Sequence, residues 1–163
     1  MTNEPSSPVC YASEADDTYM GYAARDEILA ALGELLEAER AGAKVALASS
    51  KVPSDEAYIA LMRGVRVDEA RWCAMLSRQI RRLGGTPSRK TGVFHQKALA
   101  ITDPHERLAF LNRGQAWVVR KIETLTPRVR DDHLHRDLQA MLESHRINIL
   151  AAANHLEKYG SQD

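Results

Sequence analysis

The chain has 163 residues, 44% of them hydrophobic and 27% charged, which suits one globular domain with its own core and excludes a disordered chain. Its 22 basic and 22 acidic side chains cancel, so it lacks the net basic field by which proteins hold nucleic acid or an anionic membrane surface. No apolar run approaches the ~20 residues that cross a bilayer, no secretion-type apolar stretch follows the N-terminus, and two cysteines do not make a disulfide framework; the expected compartment is the cytoplasm.

Residues 1–22 are rich in Ser, Pro and acidic side chains and lack periodicity, so they read as a flexible tail whose docking residues would be Tyr19, Met20 or Tyr22. A helical domain is expected over 23–160. The first helix is predicted from about Asp26 to Ser49, on a stripe of Ile28, Leu32, Leu35, Leu36, Ala43 and Ala46. Pro53 interrupts it, and Ser54 is expected to cap a second helix with Asp55 and Glu56 in its first turn. That helix carries Ile59, Met62, Val65, Trp72, Cys73, Leu76, Ile80 and Leu83, and stops at Gly84-Gly85 behind three arginines. Cys73 reads as a small buried hydrophobe. Residues 84–102 form a long connection in which "VFHQKALA" can make one short helix. The third long helix opens on Asp103 as N-cap, with Pro104 at its first position and Glu106 three residues after the cap. Pro127 ends it. A fourth helix begins at Asp131 or Asp132 and runs to Gly160 on Leu134, Leu138, Met141, Leu142, Ile149, Ala152 and Leu156.

Connection lengths then set the topology. Short links make each helix pair an antiparallel hairpin, whereas the long link can run the length of helices of ~35–45 Å. The second and third long helices can therefore lie parallel. The expected fold is all-α: four long helices as two antiparallel hairpins joined by a long crossover.

Each long helix carries one polar residue at the centre of its apolar stripe. Positions at ±4, ±7 and ±11 share a helix face. At those offsets Glu39 is flanked by Leu32, Leu35, Ala43 and Ala46; Glu69 by Met62, Val65, Cys73 and Leu76; Gln115 by Leu108, Leu111, Val119 and Ile122; His145 by Leu134, Leu138, Met141, Ile149 and Ala152. All four lie near mid-helix, so they can converge at one height. Buried carboxylates are costly unless paired, protonated or bound to a cation, and two of them together raise that cost.

With these residues in place, the sequence resembles the ferritin-like superfamily of four-helix bundles, the rubrerythrin type included, over roughly residues 24–158. The resemblance implies a core metal site built from one Glu on each of two helices and a Glu-x-x-His on each of the other two. Glu39 matches the first Glu. Glu69 matches the start of the second-helix motif, whose His position is Trp72. Gln115 stands where the third Glu would be. His145 matches the last residue of the fourth-helix motif, whose Glu position is Leu142. The chain thus looks like a bacterial ferritin-like protein with an eroded two-metal site. An intact di-iron oxidase, ferroxidase or peroxidase is not expected; Glu39, Glu69, His145 and Gln115 can offer ligands to one Fe, Mn or Zn ion at most. Such bundles commonly pair, so a homodimer is compatible, and no substrate is readable.

A metal-free reading stands beside this one. Glu39, Glu69, Gln115 and His145 could satisfy one another with His145 protonated, helped by Asn112, Asn148 and Arg66, in a non-catalytic bundle acting as a structural or stress-related interaction module. Among other motifs, His133 and Asp137 have chelating i, i+4 spacing but sit where a cap and solvated charge are expected. "PSRKTG", residues 87–92, reads as a solvated basic loop. His95, His105 and His155 have no ligand partner at helical spacing.

Overall fold

A computed structural model describes residues 16–161, all of whose regular structure is helical. The long helices are α1 (Arg25–Ser49), α2 (Glu56–Arg82), α4 (Pro104–Leu125) and α5 (Asp132–Gly160); the crossover carries a short α3 (Phe94–Ala100), and a 3₁₀ turn, Thr126–Arg128, links α4 to α5. Residues 1–15 of the expected tail, with Cys10, lie outside the described residues. Of the residues expected to dock the part described from residue 16, Tyr22 is half-buried with the Arg130 guanidinium 6.0 Å from its ring, whereas Tyr19 and Met20 are exposed. Asp17 pairs with Arg130 at 2.9 Å, and the buried Ala23 that follows bonds the Arg128 carbonyl through its N–H at 2.8 Å.

The caps explain the helix boundaries. Asp103 accepts from the Glu106 N–H and Asp131 from the Leu134 N–H, each three residues on. Helix α2 departs from expectation: its N-cap is Asp55, which accepts from the Tyr58 N–H at 2.8 Å, and Ser54 lies outside. A carboxylate satisfies the orphan N–H as well as a hydroxyl does and adds a negative charge at the positive end of the helix dipole. At the other end of α2, Gly84 takes φ +79°, its N–H bonding Arg81 and that of Gly85 bonding Ile80, the double bond of a Schellman cap.

Two apolar clusters fill the bundle. One joins the first half of α1 (Ile28 to Leu36) to the ends of α2 (Trp72 to Ile80) and α4 (Val118 to Leu125) and the start of α5 (Leu134 to Leu142). The other joins the end of α1 (Val45, Ala46) to the starts of α2 (Tyr58 to Val65) and α4 (Leu108, Leu111), and to Ala152 of α5. Helices α2 and α4 therefore run from the second cluster to the first, and α1 and α5 run the opposite way. Since α1 packs on α2 and α4, and α5 on α4 and α2, the two parallel pairs lie across the diagonals.

The crossover is fastened to α1. Arg40 donates to the Lys90 carbonyl at 2.6 Å, Lys44 to the Thr91 hydroxyl at 3.0 Å, and Ser88 to Glu37 at 2.6 Å. Phe94 then lies against Gly114 of α4, so close that a Cβ there would come within 2.6 Å of its ring, and stacks on Phe110 at 4.9 Å. The loop read as solvated thus pins α3 across α1 and α4. Among the described residues, no helix is long and apolar enough to cross a membrane.

Candidate metal centre

The gap between the two apolar clusters holds the polar residues. On α1 it falls between Leu36 and Val45, on α2 between Val65 and Trp72, on α4 between Leu111 and Val118, and on α5 between Leu142 and Ala152. Glu39, Glu69, Gln115 and His145 occupy those gaps, each buried to 4% exposure or less. Glu39, Glu69 and His145 bring ligand-capable atoms within 4.8 Å of one another. Gln115 donates its amide N–H to Glu69 Oε1 at 2.8 Å.

His145 is oriented from behind. Its Nδ1 lies 3.0 Å from the Met141 carbonyl, which can only accept, so Nδ1 carries a proton. Nε2 is then left to face Glu39 Oε1 at 3.1 Å. A backbone carbonyl that holds the far ring N–H is the arrangement by which metal-binding histidines present the other nitrogen.

The carboxylates are electrostatically uncomfortable. Burial pushes Glu39 up to about 8. Glu69 is raised well above the ordinary carboxylate range, first by burial and then by the charge of Glu39, with His145 pulling the other way. Among the described residues no Lys or Arg forms an ion pair with either carboxylate. Arg66 is exposed, Asn112 bonds the Ile149 carbonyl and Asn148 bonds Asp68, so none of the three joins the network. Glu39 Oε2 and Gln115 Oε1 are buried without a hydrogen-bond partner. A proton shared between the carboxyls, or a cation among them, would relieve the cluster.

Sequence reading missed two parts of the site. Gly42, one turn after Glu39, is a cradle for Glu69: a Cβ there would meet all three carboxyl atoms at 2.8 Å. A glycine inside an apolar helical stripe is the signal for such close approach. The second is an open, largely apolar cleft of about 530 Å³ between α1, α4 and the Thr91–Phe94 segment, with Phe110, Trp117 and Val118 among its walls. It reaches Glu39, Glu69 and Gln115, which a one-dimensional pattern cannot show.

The other candidates resolve differently. Trp72 is buried and donates to the Ser144 hydroxyl at 3.2 Å, and Leu142 is buried in the core; both give their positions to packing. Glu143 is exposed beside Arg146. Gln79 donates to Asp137 at 2.7 Å and contacts His133 at 2.8 Å, so this pair is bridged by an amide. Cys73 is half-buried and free; burial and then the charges of Glu39 and Glu69 push its thiol up to about 12.

A family model described as "Domain of unknown function (DUF6306)" matches residues 26–154. No curated protein matches the chain. Among solved structures, it is similar to a ferritin-like, diiron-carboxylate protein from Bacillus anthracis str. Ames, 17% identical, over 85% of this chain and 96% of that one, with a TM-score of 0.60. The fold is therefore that of a ferritin-like bundle.

Proposed function

The chain belongs to the DUF6306 family, whose description names no activity, and from the site itself we propose that it binds one divalent metal ion at mid-bundle. Glu39, Glu69 and His145 Nε2 would hold the ion, with Gln115 Oε1 free to join them. The observation that carries this reading is one cluster of three buried ligand groups without a basic neighbour, in which two further oxygens lack any partner. Two carboxylates and an imidazole are a donor set for Fe²⁺, Mn²⁺ or Zn²⁺. The residues fit one ion rather than two, because Trp72 and Leu142 fill positions where the diiron pattern needs a His and a Glu. Bound there, the ion would supply Lewis-acid or redox chemistry. The chain's own residues would supply a dry floor, a fixed imidazole and an apolar approach of about 530 Å³, suited to a small, weakly polar molecule.

Elemental analysis of full-length protein purified without chelator tests the reading, beside a Glu39→Ala/His145→Ala variant. About one equivalent of iron, manganese or zinc lost in the variant supports it. No difference between the two after anaerobic loading with each metal refutes it, and leaves a hydrogen-bonded network in a bundle that acts through its surface.

A further inference from the structure

Helix spacing tests one helix at a time, and by that test His105 and His155 have no partners. Topology supplies them. The N-termini of α2 and α4 and the C-terminal part of α5 meet at one end of the bundle, beyond the second apolar cluster. Asp55, His105 and His155 meet there, one ligand-capable atom of each lying within 4.8 Å of the others.

The groups are prepared for a ligand. Nε2 of His105 and Nε2 of His155 are both buried without a hydrogen-bond partner. Asp55 divides its carboxylate: Oδ1 caps α2 through the Tyr58 N–H, and Oδ2 faces His155 Nε2 at 4.0 Å. That gap is too long for a hydrogen bond. It is close to the ~3.3 Å that separates two ligands on a tetrahedral zinc ion with bonds of ~2.0–2.1 Å. The rings are held by packing: His105 stacks on Tyr159 at 3.4 Å and on His155 at 5.5 Å, with interplanar angles of 12° and 5°, and Tyr58 leans on both at 5.8 and 6.1 Å. Aromatic contacts fix where the rings lie and leave their nitrogens unused. Asp55 is exposed and both histidines are half-buried, so the cluster lies at the solvent-facing end of the bundle.

We propose that Asp55, His105 and His155 form a second, bundle-end site for a divalent cation of the zinc type, with Asp55 Oδ2 and the two Nε2 atoms as ligands and a fourth position open to water. Two imidazoles and one carboxylate are a set that zinc accepts in sites with an open position. The ion would clasp the ends of three helices. The site is separate from the mid-bundle cluster: Asp55 and Glu69 stand ~21 Å apart along α2, and His145 and His155 ~15 Å apart along α5, at 1.5 Å per residue.

The test is a calorimetric titration with Zn²⁺ of chelator-treated, full-length protein carrying Glu39→Gln/Glu69→Gln, which removes both carboxylates of the mid-bundle site. The expected result is one zinc ion per chain, with Kd raised by His105→Ala or His155→Ala beyond the ~10–100-fold that loss of a mere outer-shell partner costs. Unchanged Kd in both histidine variants, or no uptake at all, overturns the proposal. Should a variant misfold, NMR of the imidazole nitrogens in the unsubstituted chain decides. Saturating Zn²⁺ should shift His105 and His155 and leave His95, His133 and His135 in place. Shifts confined to His145 overturn the proposal equally.

Discussion

The middle and the end of the bundle handle polar groups in opposite ways. At mid-bundle, four side chains are sealed between two apolar clusters, and every hydrogen-bonding atom there must find a partner or cost free energy. At the end, Asp55 stays in contact with solvent and two half-buried rings are held by stacking. The first region should therefore govern stability in the absence of metal. The second should matter little until a cation arrives.

Single truncations break the comparison most sharply. His145→Ala leaves the buried Glu39 without its imidazole partner and empties the volume of a fully buried ring, a loss of about 2–5 kcal/mol. His155→Ala, in chelator, removes stacking and a 4.0 Å contact with an exposed carboxylate, a loss of roughly 1–2 kcal/mol. Urea unfolding of both variants checks this. Equal losses would mean that the polar layer is not what the middle of the bundle depends on.

Next in size is the pH dependence of the metal-free protein. Glu39 has its folded-state value raised from 4.5 to about 8. Between those values the folded chain holds a proton that the unfolded chain has released, so stability must fall as pH rises from about 4.5 to 8. One such proton sets a slope of at most ~1.4 kcal/mol per pH unit, and Glu69, raised in the same direction, adds to it. The Tm in chelator should be higher at pH 5.5 than at pH 8, and Glu39→Gln/Glu69→Gln should flatten the profile. A bound cation should reverse the trend, because its ligands must be deprotonated. Asp55 at the bundle end has the opposite sign: its value is lowered, chiefly by the Tyr58 N–H, so its contribution is lost only in acid.

These contrasts also account for what the sequence revealed. The middle was legible because each of Glu39, Glu69, Gln115 and His145 interrupts an apolar stripe on its own helix, and periodicity reads one helix at a time. Mid-helix placement on hairpins of similar length then put the four at one height. Topology was legible for the same local reasons, namely two short links and one long one. Asp55, His105 and His155 carry no such mark. They sit at helix ends, about fifty residues apart, where a His or Asp is ordinary, and they meet only once three helices are aligned. The cap at Asp55 was misread because Ser54 and Asp55 are both good N-caps, and only burial of Tyr58 in the core sets the register.

A glycine pair sharpens the comparison further. Gly42→Ala puts a methyl group against the Glu69 carboxyl, whereas nothing lies within 4 Å of a Cβ at Gly64 on the exposed face of α2. Alanine favours a helix by ~0.8–1 kcal/mol over glycine, so Gly64→Ala should stabilise by about that amount. At Gly42 overpacking of ~1–3 kcal/mol should outweigh the gain and also weaken metal uptake. Thermal melts and metal titration of the two variants check this. A stabilised Gly42→Ala with full metal uptake would show that Glu69 does not need its place over α1.

The smallest expected change in stability is the most discriminating at the bundle end. Asn caps a helix as well as Asp does, so Asp55→Asn should keep the bond from the Tyr58 N–H and move Tm only slightly in chelator. Asn nevertheless lacks the anionic oxygen that faces His155. If Asp55 serves only as a cap, wild type and variant should melt together with or without zinc. If it is also a ligand, micromolar zinc should raise the Tm of the Glu39→Gln/Glu69→Gln chain and fail to raise it once Asp55→Asn is added, because a ligand that binds only the folded chain stabilises by mass action. Asp55 is thus the one residue at which helix capping and ligand binding can be separated by changing a single atom.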